Sequence, residues 1–221
     1  AVLFDDAFLA QVEELRAALV CLEYCIYIGE GTCPDWAIDA EAMINNHSPC
    51  APSTRGGNEM AGIFYTGGTT GFPKGVMQSH SAIWASGMGS LPMFGMTRES
   101  RYLHVAPMFH MADFAGGMGA TLSAAQNIVL QGFDPVAVMA TVAAKRITHA
   151  LLVPAMIKML LDHPDIAAAD FSSMEKIIYG ASPMPAATLQ HCMELWPHIG
   201  MVQAYGQTEL APVATMLSPE D

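Results

Sequence analysis

Residues 65–76 read YTGGTTGFPKGV, a glycine- and threonine-rich loop that directly follows an apolar stretch, residues 63–65, for which the pattern predicts a strand. Glycines let the backbone turn its N–H groups toward one point, and threonine hydroxyls add further donors. Lys74 is the only lysine or arginine between Arg55 and Arg98, and it supplies a point charge for phosphate oxygens. We therefore interpret residues 66–75, the phosphate loop, as an anion-binding loop rather than a glycine-rich linker.

Two other kinds of phosphate-binding loop are excluded by the residues around the glycines. A Walker loop needs Gly-Lys-Ser/Thr at the start of a helix, whereas here Pro73 separates glycine from lysine and Gly75 follows. The dinucleotide fingerprint G-x-G-x-x-G is also missing after the earlier predicted strand, where residues 29–34 read GEGTCP.

The same twelve residues resemble the signature Tyr-Thr-Ser-Gly-Thr-Thr-Gly-x-Pro-Lys-Gly-Val of the adenylate-forming superfamily, which includes acyl-CoA synthetases, luciferases and peptide-synthetase adenylation domains. One fixed position differs, because Gly67 stands where the family usually has a serine that contacts the ATP phosphates. Gly67 either weakens phosphate binding by one missing hydroxyl or is a tolerated variant. The resemblance implies that ATP is bound by Thr66, Gly67, Gly68, Thr69, Thr70, Gly71 and Lys74.

Residues 205–209, the YGQTE segment, follow a predicted strand at residues 201–204. Open α/β sheets bind ligands at the carboxyl ends of their strands. Glu209 can supply the hard oxygen that Mg²⁺ prefers, Thr208 a hydroxyl for an α-phosphate, and Tyr205 a flat face for a base or an acyl group. Alone, such a segment is more often an ordinary polar turn. It resembles the family's Tyr-Gly-x-Thr-Glu and follows the phosphate loop in the family's order, which implies a nucleotide site that includes Gly206.

Two further segments resemble the family at the expected places in the chain. Gly180, Ala181 and Ser182, followed by a proline, match the segment whose backbone lines the adenine pocket, although a strand-to-helix turn explains them equally well. Residues 107–110 read PMFH and match the segment that borders the acyl pocket and the thiol entrance. A lone histidine is more often structural, but its place in this series favours a substrate-binding role for His110.

The hydrophobic periodicity predicts an α/β fold with mostly parallel sheets flanked by helices. Asp134 and Pro135 predict the start of one helix, and Lys145 and Arg146 its end. Residues 45–58 are predicted to be a loop.

The resemblance implies an incomplete acyl-CoA synthetase-like N-terminal domain. Predicted strands cover residues 24–28, 63–65, 102–106, 127–130, 150–153, 176–179 and 201–204; predicted helices cover residues 8–19, 81–93, 155–161, 186–195 and a segment after Pro107.

We expect two subdomains. Residues 1–95 form a partial first α/β subdomain with the phosphate loop, and residues 96–221 form a second one with the adenine, acyl and magnesium motifs. The resemblance implies that the ribose-binding aspartate, the hinge and the C-terminal lid with its catalytic lysine lie outside these 221 residues. The chain is then a middle segment of a longer enzyme, and we expect it to be inactive alone.

Composition excludes several classes of protein. The formal net charge of −12 argues against a nucleic-acid binder, which needs a surplus of lysine and arginine. Five cysteines without a C-x-x-C pair fit a reducing cytoplasm, and Cys21 and Cys25 lack the histidines that would complete a zinc site. The weakly charged residues 111–130 are too polar to span a membrane. A cytoplasmic protein without a structural metal is expected.

The function implied by the resemblance is ATP-dependent activation of a carboxylic acid, of the fatty-acid type, to an acyl-adenylate that is passed to coenzyme A. ATP, Mg²⁺ and coenzyme A are the expected partners, with Lys74, Thr208 and Glu209 as catalytic residues. Two alternatives stay open: an adenylating domain that loads a carrier protein, and a non-catalytic nucleotide-binding protein. An amino-acid substrate would need a buried carboxylate for its ammonium group, and Asp113 is the candidate.

Overall fold

The computed structural model describes residues 1–67 and 71–221. These residues form two compact units, Ala1–Thr54 and Arg55–Asp221. The division expected from the sequence falls later, between residues 95 and 96, and stays a prediction. In the described residues, the strand-and-helix segment just before residue 95 contacts later parts of the second unit.

The first unit is a small parallel sheet with two helices. Strands β1 (Val2–Phe4), β2 (Cys25–Tyr27) and β3 (Ile38–Asp39) lie in that order, and helices α1 (Leu9–Ala18) and α2 (Ala40–Asn45) belong to the same unit. Its core contains Phe4 and Tyr27, with Trp36 stacked on the Phe4 ring at 5.3 Å. The predicted helix at residues 8–19 and strand at residues 24–28 are confirmed within a residue or so at each end.

The second unit begins with a hairpin. Strand β4 (Met60–Thr66) pairs antiparallel with β5 (Lys74–Ser79), and Thr66 lies opposite Lys74. The predicted strand at residues 63–65 is the middle of β4, whereas β5 was not predicted. The phosphate loop therefore joins two strands of one hairpin.

A six-stranded sheet forms the body of the second unit, in the order β11-β10-β9-β8-β6-β7. All neighbouring pairs are parallel except the edge pair β10–β11. The prediction of a mostly parallel sheet is confirmed, and the antiparallel edge strand was not foreseen. The strands are β6 (Arg101–His104), β7 (Gln126–Val129), β8 (His149–Leu151), β9 (Lys176–Gly180), β10 (Gly200–Gly206) and β11 (Val213–Leu217).

Helices cover both faces of this sheet. Along β6 and β9, successive residues alternate between two cores: Leu103 and Ile177 belong to one, Tyr102 and Ile178 to the other. The first core is packed by helices α5 (Pro135–Lys145), α6 (Pro154–Leu161) and α7 (Ala186–Leu195), and the second by α3 (His80–Phe94) and α4 (Met111–Leu122). Within residues 1–67 and 71–221, no helix has both the length and the apolar character needed to cross a membrane.

Candidate functional site

A cavity of about 390 Å³ lies at the carboxyl ends of β9 and β10. Residues from the phosphate loop, the 180–182 segment, the YGQTE segment and the start of α4 all line it, although they are far apart in the chain. We call it the motif cavity. The predicted site residues among its lining are Thr66, Gly67, His110, Gly180, Ala181, Tyr205, Gly206, Thr208 and Glu209.

The hairpin contributes the phosphate-loop side. Thr66, the last residue of β4, donates its hydroxyl proton to the carbonyl of Lys74 at 3.4 Å, and Gly67 follows it in the cavity wall. Lys74 is exposed and does not line the cavity, and neither does Gly71, whose φ of +96° favours glycine. Gly68, Thr69 and Thr70 lie outside the described residues.

The 180–182 segment forms the next wall, where β9 ends. Gly180 pairs with Ala204 of β10, and a Cβ on Gly180 would lie 2.1 Å from the Ala204 carbonyl oxygen. A side chain therefore cannot be placed there without separating the strands. Ala181 lines the cavity with a left-handed φ of 65°, whereas Ser182 is exposed and outside the lining.

The YGQTE segment leaves β10 in a tight turn. After Gly206 the chain forms one 3₁₀ turn, Thr208–Leu210, and then returns as β11, with the Gln207 N–H donating to the Pro212 carbonyl at 3.0 Å. This geometry directs Thr208, half-buried, and Glu209, exposed, to the rim of the cavity beside Tyr205, which is 65% exposed. The sequence prediction that these residues lie at a strand end is confirmed.

The oxygen donors at this rim fit a magnesium ion shared with a nucleotide. Within the parts of the chain that the structure describes, the Glu209 carboxylate has no ion pair and no hydrogen bond, and no group of three or more His, Cys, Asp or Glu residues could hold a metal ion by itself. Mg²⁺ commonly takes one or two protein carboxylates and completes its shell with phosphate oxygens and water. A single exposed carboxylate beside a hydroxyl matches that pattern.

The inner wall of the motif cavity is apolar. It consists of Phe94 at the end of α3, Met111 and Ala115 on α4, and Leu151 and Ile178 on the sheet. His110 also lines the cavity and is exposed, and its Nδ1 accepts a hydrogen bond from the Ala112 N–H at 3.3 Å. His110 therefore caps α4 in addition to lining the cavity.

Asp113 lies outside the motif cavity, in a buried polar network on the other side of α4. It is fully buried and accepts hydrogen bonds from the Tyr102 hydroxyl at 3.0 Å and from His104 Nδ1 at 2.6 Å. The other His104 ring nitrogen, Nε2, is 2.8 Å from Asn127 Oδ1. Both Asp113 oxygens are engaged, so the suggestion that Asp113 receives a substrate ammonium group is wrong for this arrangement.

This network shifts the pKa of two of its members. Burial lowers the pKa of His104, but the hydrogen bonds to Asp113 and Asn127 outweigh it and leave the pKa raised. Burial, reinforced by the Asp113 charge, raises the pKa of the Tyr102 hydroxyl well above its ordinary value. Both His104 ring nitrogens thus face oxygen acceptors, which favours the protonated form of the imidazole.

One buried residue near the site was missed by the sequence analysis. Gln78, the last residue but one of β5, is 4% exposed and donates from Nε2 to the backbone carbonyl of Thr208. No local pattern reveals such a contact, because its partner lies 130 residues further along the chain.

Comparison with known proteins agrees with the arrangement of these motifs. The profile of the AMP-binding enzyme family matches residues 1–221. The chain belongs to the AMP-binding enzyme family. This confirms the recognition made from the phosphate loop and the YGQTE segment.

Relatives of this AMP-binding enzyme are CoA ligases that act on different acids. The chain is 34% identical to the medium/long-chain-fatty-acid–CoA ligase FadD8 of Mycobacterium tuberculosis, over 97% of this chain and 37% of that protein. It is 30% identical to the indoleacetate–CoA ligase of Aromatoleum aromaticum, over 98% of this chain and 42% of that protein. The chain thus spans well under half the length of these two relatives.

Solved structures confirm the fold of this AMP-binding enzyme. The N-terminal domain of FACL13 from Mycobacterium tuberculosis superposes with a TM-score of 0.85 at 24% identity, covering all of this chain and 54% of that one. The anthranilate CoA ligase AuaEII, solved with anthranoyl-AMP, superposes with a TM-score of 0.88 at 22% identity, covering 99% of this chain and 43% of that one.

Proposed function

We propose that the longer enzyme containing this chain activates a carboxylic acid with ATP and transfers the acyl group to coenzyme A. The observation that carries the proposal is the motif cavity itself. Its rim brings together three motifs with hydroxyl, carboxylate and backbone groups, and its inner wall is apolar. A polar nucleotide and an apolar acid can then meet in one site.

Each predicted residue receives a role within this proposal. The phosphate loop, with Lys74, binds the β- and γ-phosphates, because its backbone N–H groups, its hydroxyls and one ammonium group can donate hydrogen bonds to anionic oxygens. Lys74 pairs across the hairpin with Thr66, which lines the cavity. Gly180, Ala181 and the adjoining Ser182 border the adenine ring, and Tyr205 offers it an aromatic face.

The remaining roles concern the reacting atoms. The Thr208 hydroxyl donates to the α-phosphate, and Glu209 would hold Mg²⁺, an ion whose charge would offset that of the phosphates. His110, an exposed residue of the cavity lining, borders the acid and the entrance for the thiol. No side chain of this set acts as a nucleophile.

The reaction proceeds in two displacements. The acid's carboxylate oxygen attacks the α-phosphorus and pyrophosphate leaves, which gives the acyl-adenylate; the thiol of coenzyme A then attacks the acyl carbon and AMP leaves. The chain's contribution is to align the carboxylate with the α-phosphorus and to stabilise developing negative charge on the phosphate oxygens.

We further propose that the acid is apolar, as a fatty acid is. The wall formed by Phe94, Met111, Ala115, Leu151 and Ile178 offers no charged group to a polar acyl chain. A substrate with an ammonium group would lose hydration there without a partner, since the Asp113 carboxylate is engaged elsewhere. The relatives named above include ligases for fatty acids and for an aromatic acid, and both kinds are apolar.

The test is equilibrium binding of ATP and AMP to this chain, followed by pyrophosphate exchange in the longer enzyme with a panel of acids. Binding of both nucleotides, with exchange stimulated by fatty or aromatic acids, is expected. Failure of ATP to bind would contradict the proposal, and exchange driven by amino acids alone would contradict the apolar substrate.

A further inference from the structure

Gln78 stands out as a buried polar residue in a strand that is otherwise mostly exposed. Its side chain is 4% exposed, while Lys74, Gly75 and Met77 on the same strand are exposed. A buried amide is unfavourable unless it is hydrogen-bonded. This position therefore serves a specific partner, not general packing.

That partner is the YGQTE segment. The Gln78 Nε2 donates to the backbone carbonyl of Thr208, and β5 packs against the Thr208–Leu210 turn. A second bond joins the segment after this turn to α3, because the Ser86 Oγ accepts a hydrogen bond from the Val213 N–H at 3.4 Å. The hairpin and its following helix thus hold the turn from one side.

The bond connects the two elements that carry the phosphate-binding motifs. Strand β5 begins at Lys74, the lysine of the phosphate loop, and its partner β4 ends at Thr66, in the motif cavity. Thr208 and Glu209 lie on the other side of the bond, in the rim of the same cavity. Any shift of the turn relative to the hairpin would change the distance between the two motifs.

We propose that Gln78 is a positioning residue that fixes the Thr208–Leu210 turn relative to the phosphate loop. Thr208 and Glu209 then meet the α-phosphate and the metal of a nucleotide whose other phosphates are held by the loop. This inference rests on the proposed function. Gln78 itself contacts no reacting atom: it acts through the backbone of Thr208.

The experiment measures ATP binding to this chain with Mg²⁺ and with EDTA. The ratio of the two dissociation constants is the magnesium benefit. Gln78→Met keeps the length of the side chain without a donor, and Gln78→Glu keeps its shape but places an oxygen against the Thr208 carbonyl. Both are expected to weaken metal-free ATP binding, because the Thr208 hydroxyl is displaced, and to lower the magnesium benefit by about fivefold or more, the scale of one lost hydrogen bond, because Glu209 is displaced with it.

Two controls separate positioning from a general loss of structure. Gln190 on α7 also makes a side-chain hydrogen bond, to Glu194, and does not line the cavity, so Gln190→Met should leave the magnesium benefit unchanged. Gln78→Asn keeps the donor on a shorter side chain and should retain more of the benefit than Gln78→Met. Amide exchange at residues 208–211 should rise in Gln78→Met, while exchange in α5–α7 stays as it is.

The outcomes distinguish this inference from the proposed function. An unchanged magnesium benefit, whether or not the metal-free affinity falls, would overturn the positioning role while ATP binding survives. Unfolding of both Gln78→Met and Gln78→Glu would also overturn it, since Gln78 would then be a stability residue. No ATP binding by the unsubstituted chain would instead contradict the proposed function.

Discussion

Residue by residue, the cavity divides into groups that hold charge and groups that shape the site. Lys74 is the cation of the phosphate loop, yet it is exposed and outside the cavity lining. Its role therefore depends on its long side chain reaching the outer phosphates rather than on a built pocket. Substitution of Lys74 therefore tests directly where the triphosphate lies.

Lys74→Ala should weaken ATP binding more than AMP binding, because AMP lacks the phosphates that the loop faces. A loss on the order of tenfold for ATP is expected for one charge-assisted contact. Calorimetric titration of both nucleotides measures it. Lys145→Ala, at the end of α5, is the matched control and should change neither affinity. Equal losses for ATP and AMP would place Lys74 near the α-phosphate instead.

Gly67→Ser restores the residue that the family usually has in the loop. A Cβ built on Gly67 meets no described atom within 4 Å, and its φ is not in the left-handed region, so the side chain can be accommodated. ATP affinity should rise by roughly 1 kcal/mol if the hydroxyl reaches a phosphate oxygen. Comparison of ATP titrations for the two chains measures the effect. A loss of affinity would show that the loop has adapted to glycine.

Glu209→Gln should remove most of the improvement that Mg²⁺ gives to ATP binding. Metal-free binding should stay similar or improve, because a like charge near the phosphates is lost. Thr208→Ala should weaken both forms, since a hydroxyl acts on the α-phosphate with or without metal. Titrations with Mg²⁺ and with EDTA separate the two variants. A magnesium effect that survives Glu209→Gln would assign the metal to other groups.

At the scale of elements, the end of α3 is held by two side chains from the sheet. His149 Nε2 donates to the Phe94 carbonyl at 3.0 Å, and Lys176 Nζ donates to the Met93 carbonyl at 2.8 Å. These bonds satisfy last-turn carbonyls and place the Phe94 ring in the wall of the motif cavity. The position of this wall therefore depends on a buried, neutral histidine.

We expect acidic pH to destabilise the C-terminal end of α3. Burial lowers the pKa of His149 to about 4, with Lys176 adding to the shift, while an unfolded histidine titrates near 6.5. The unfolded chain binds more protons between these values, so the stability is complete above about pH 6.5 and falls as the pH drops toward 4. The free energy of unfolding should decrease by about 2 kcal/mol between pH 7 and pH 5 from this group alone.

Urea unfolding of the chain and of His149→Gln at both pH values tests this. The amide of glutamine can still donate to the Phe94 carbonyl but does not titrate, so the variant should lose less stability on acidification. His104, whose raised pKa acts in the opposite direction, is common to both chains and cancels in the comparison. His191→Gln, at an exposed position on α7, serves as the control. An identical pH response of His149→Gln and the unsubstituted chain would contradict the prediction.

The elements predicted from sequence are those whose signals are local. Helix α5 was predicted from the pair Asp134 and Pro135. In the structure, Asp134 caps the helix by accepting a hydrogen bond from the Ala137 N–H at 2.8 Å, and Pro135 lies in the first turn. Strands β5 and β11 were missed because each owes its conformation to an antiparallel partner. The contact between Gln78 and Thr208 could not be predicted, since tertiary pairing alone brings those residues together.

At the scale of the whole molecule, the motifs identified the family and the candidate site residues. The cavity that these residues line could be recognised only in the folded structure. Gly180 and Glu209 are far apart in sequence and converge because β9 and β10 are parallel and end at one edge of the sheet, and Thr66 of the separate β4–β5 hairpin lines the same cavity. Asp113 shows the converse: it was the candidate partner for a substrate ammonium group, but consecutive helical residues point in different directions, and its carboxylate accepts hydrogen bonds from Tyr102 and His104.

The 221 residues should bind ATP and yet form little or no acyl-CoA. Residues from each of the three nucleotide motifs line one cavity, which supports binding, but the chain spans 37% and 42% of the two CoA ligases compared above. The family resemblance assigns a catalytic lysine to a C-terminal lid outside these residues, and transition-state charge on the α-phosphate would lack that group. A thioester assay with fatty acids, ATP, Mg²⁺ and coenzyme A measures turnover, alongside ATP binding by calorimetry. Turnover comparable to that of a full-length relative would show that the residues described here suffice for catalysis, and that the lysine of the lid has been given too large a role.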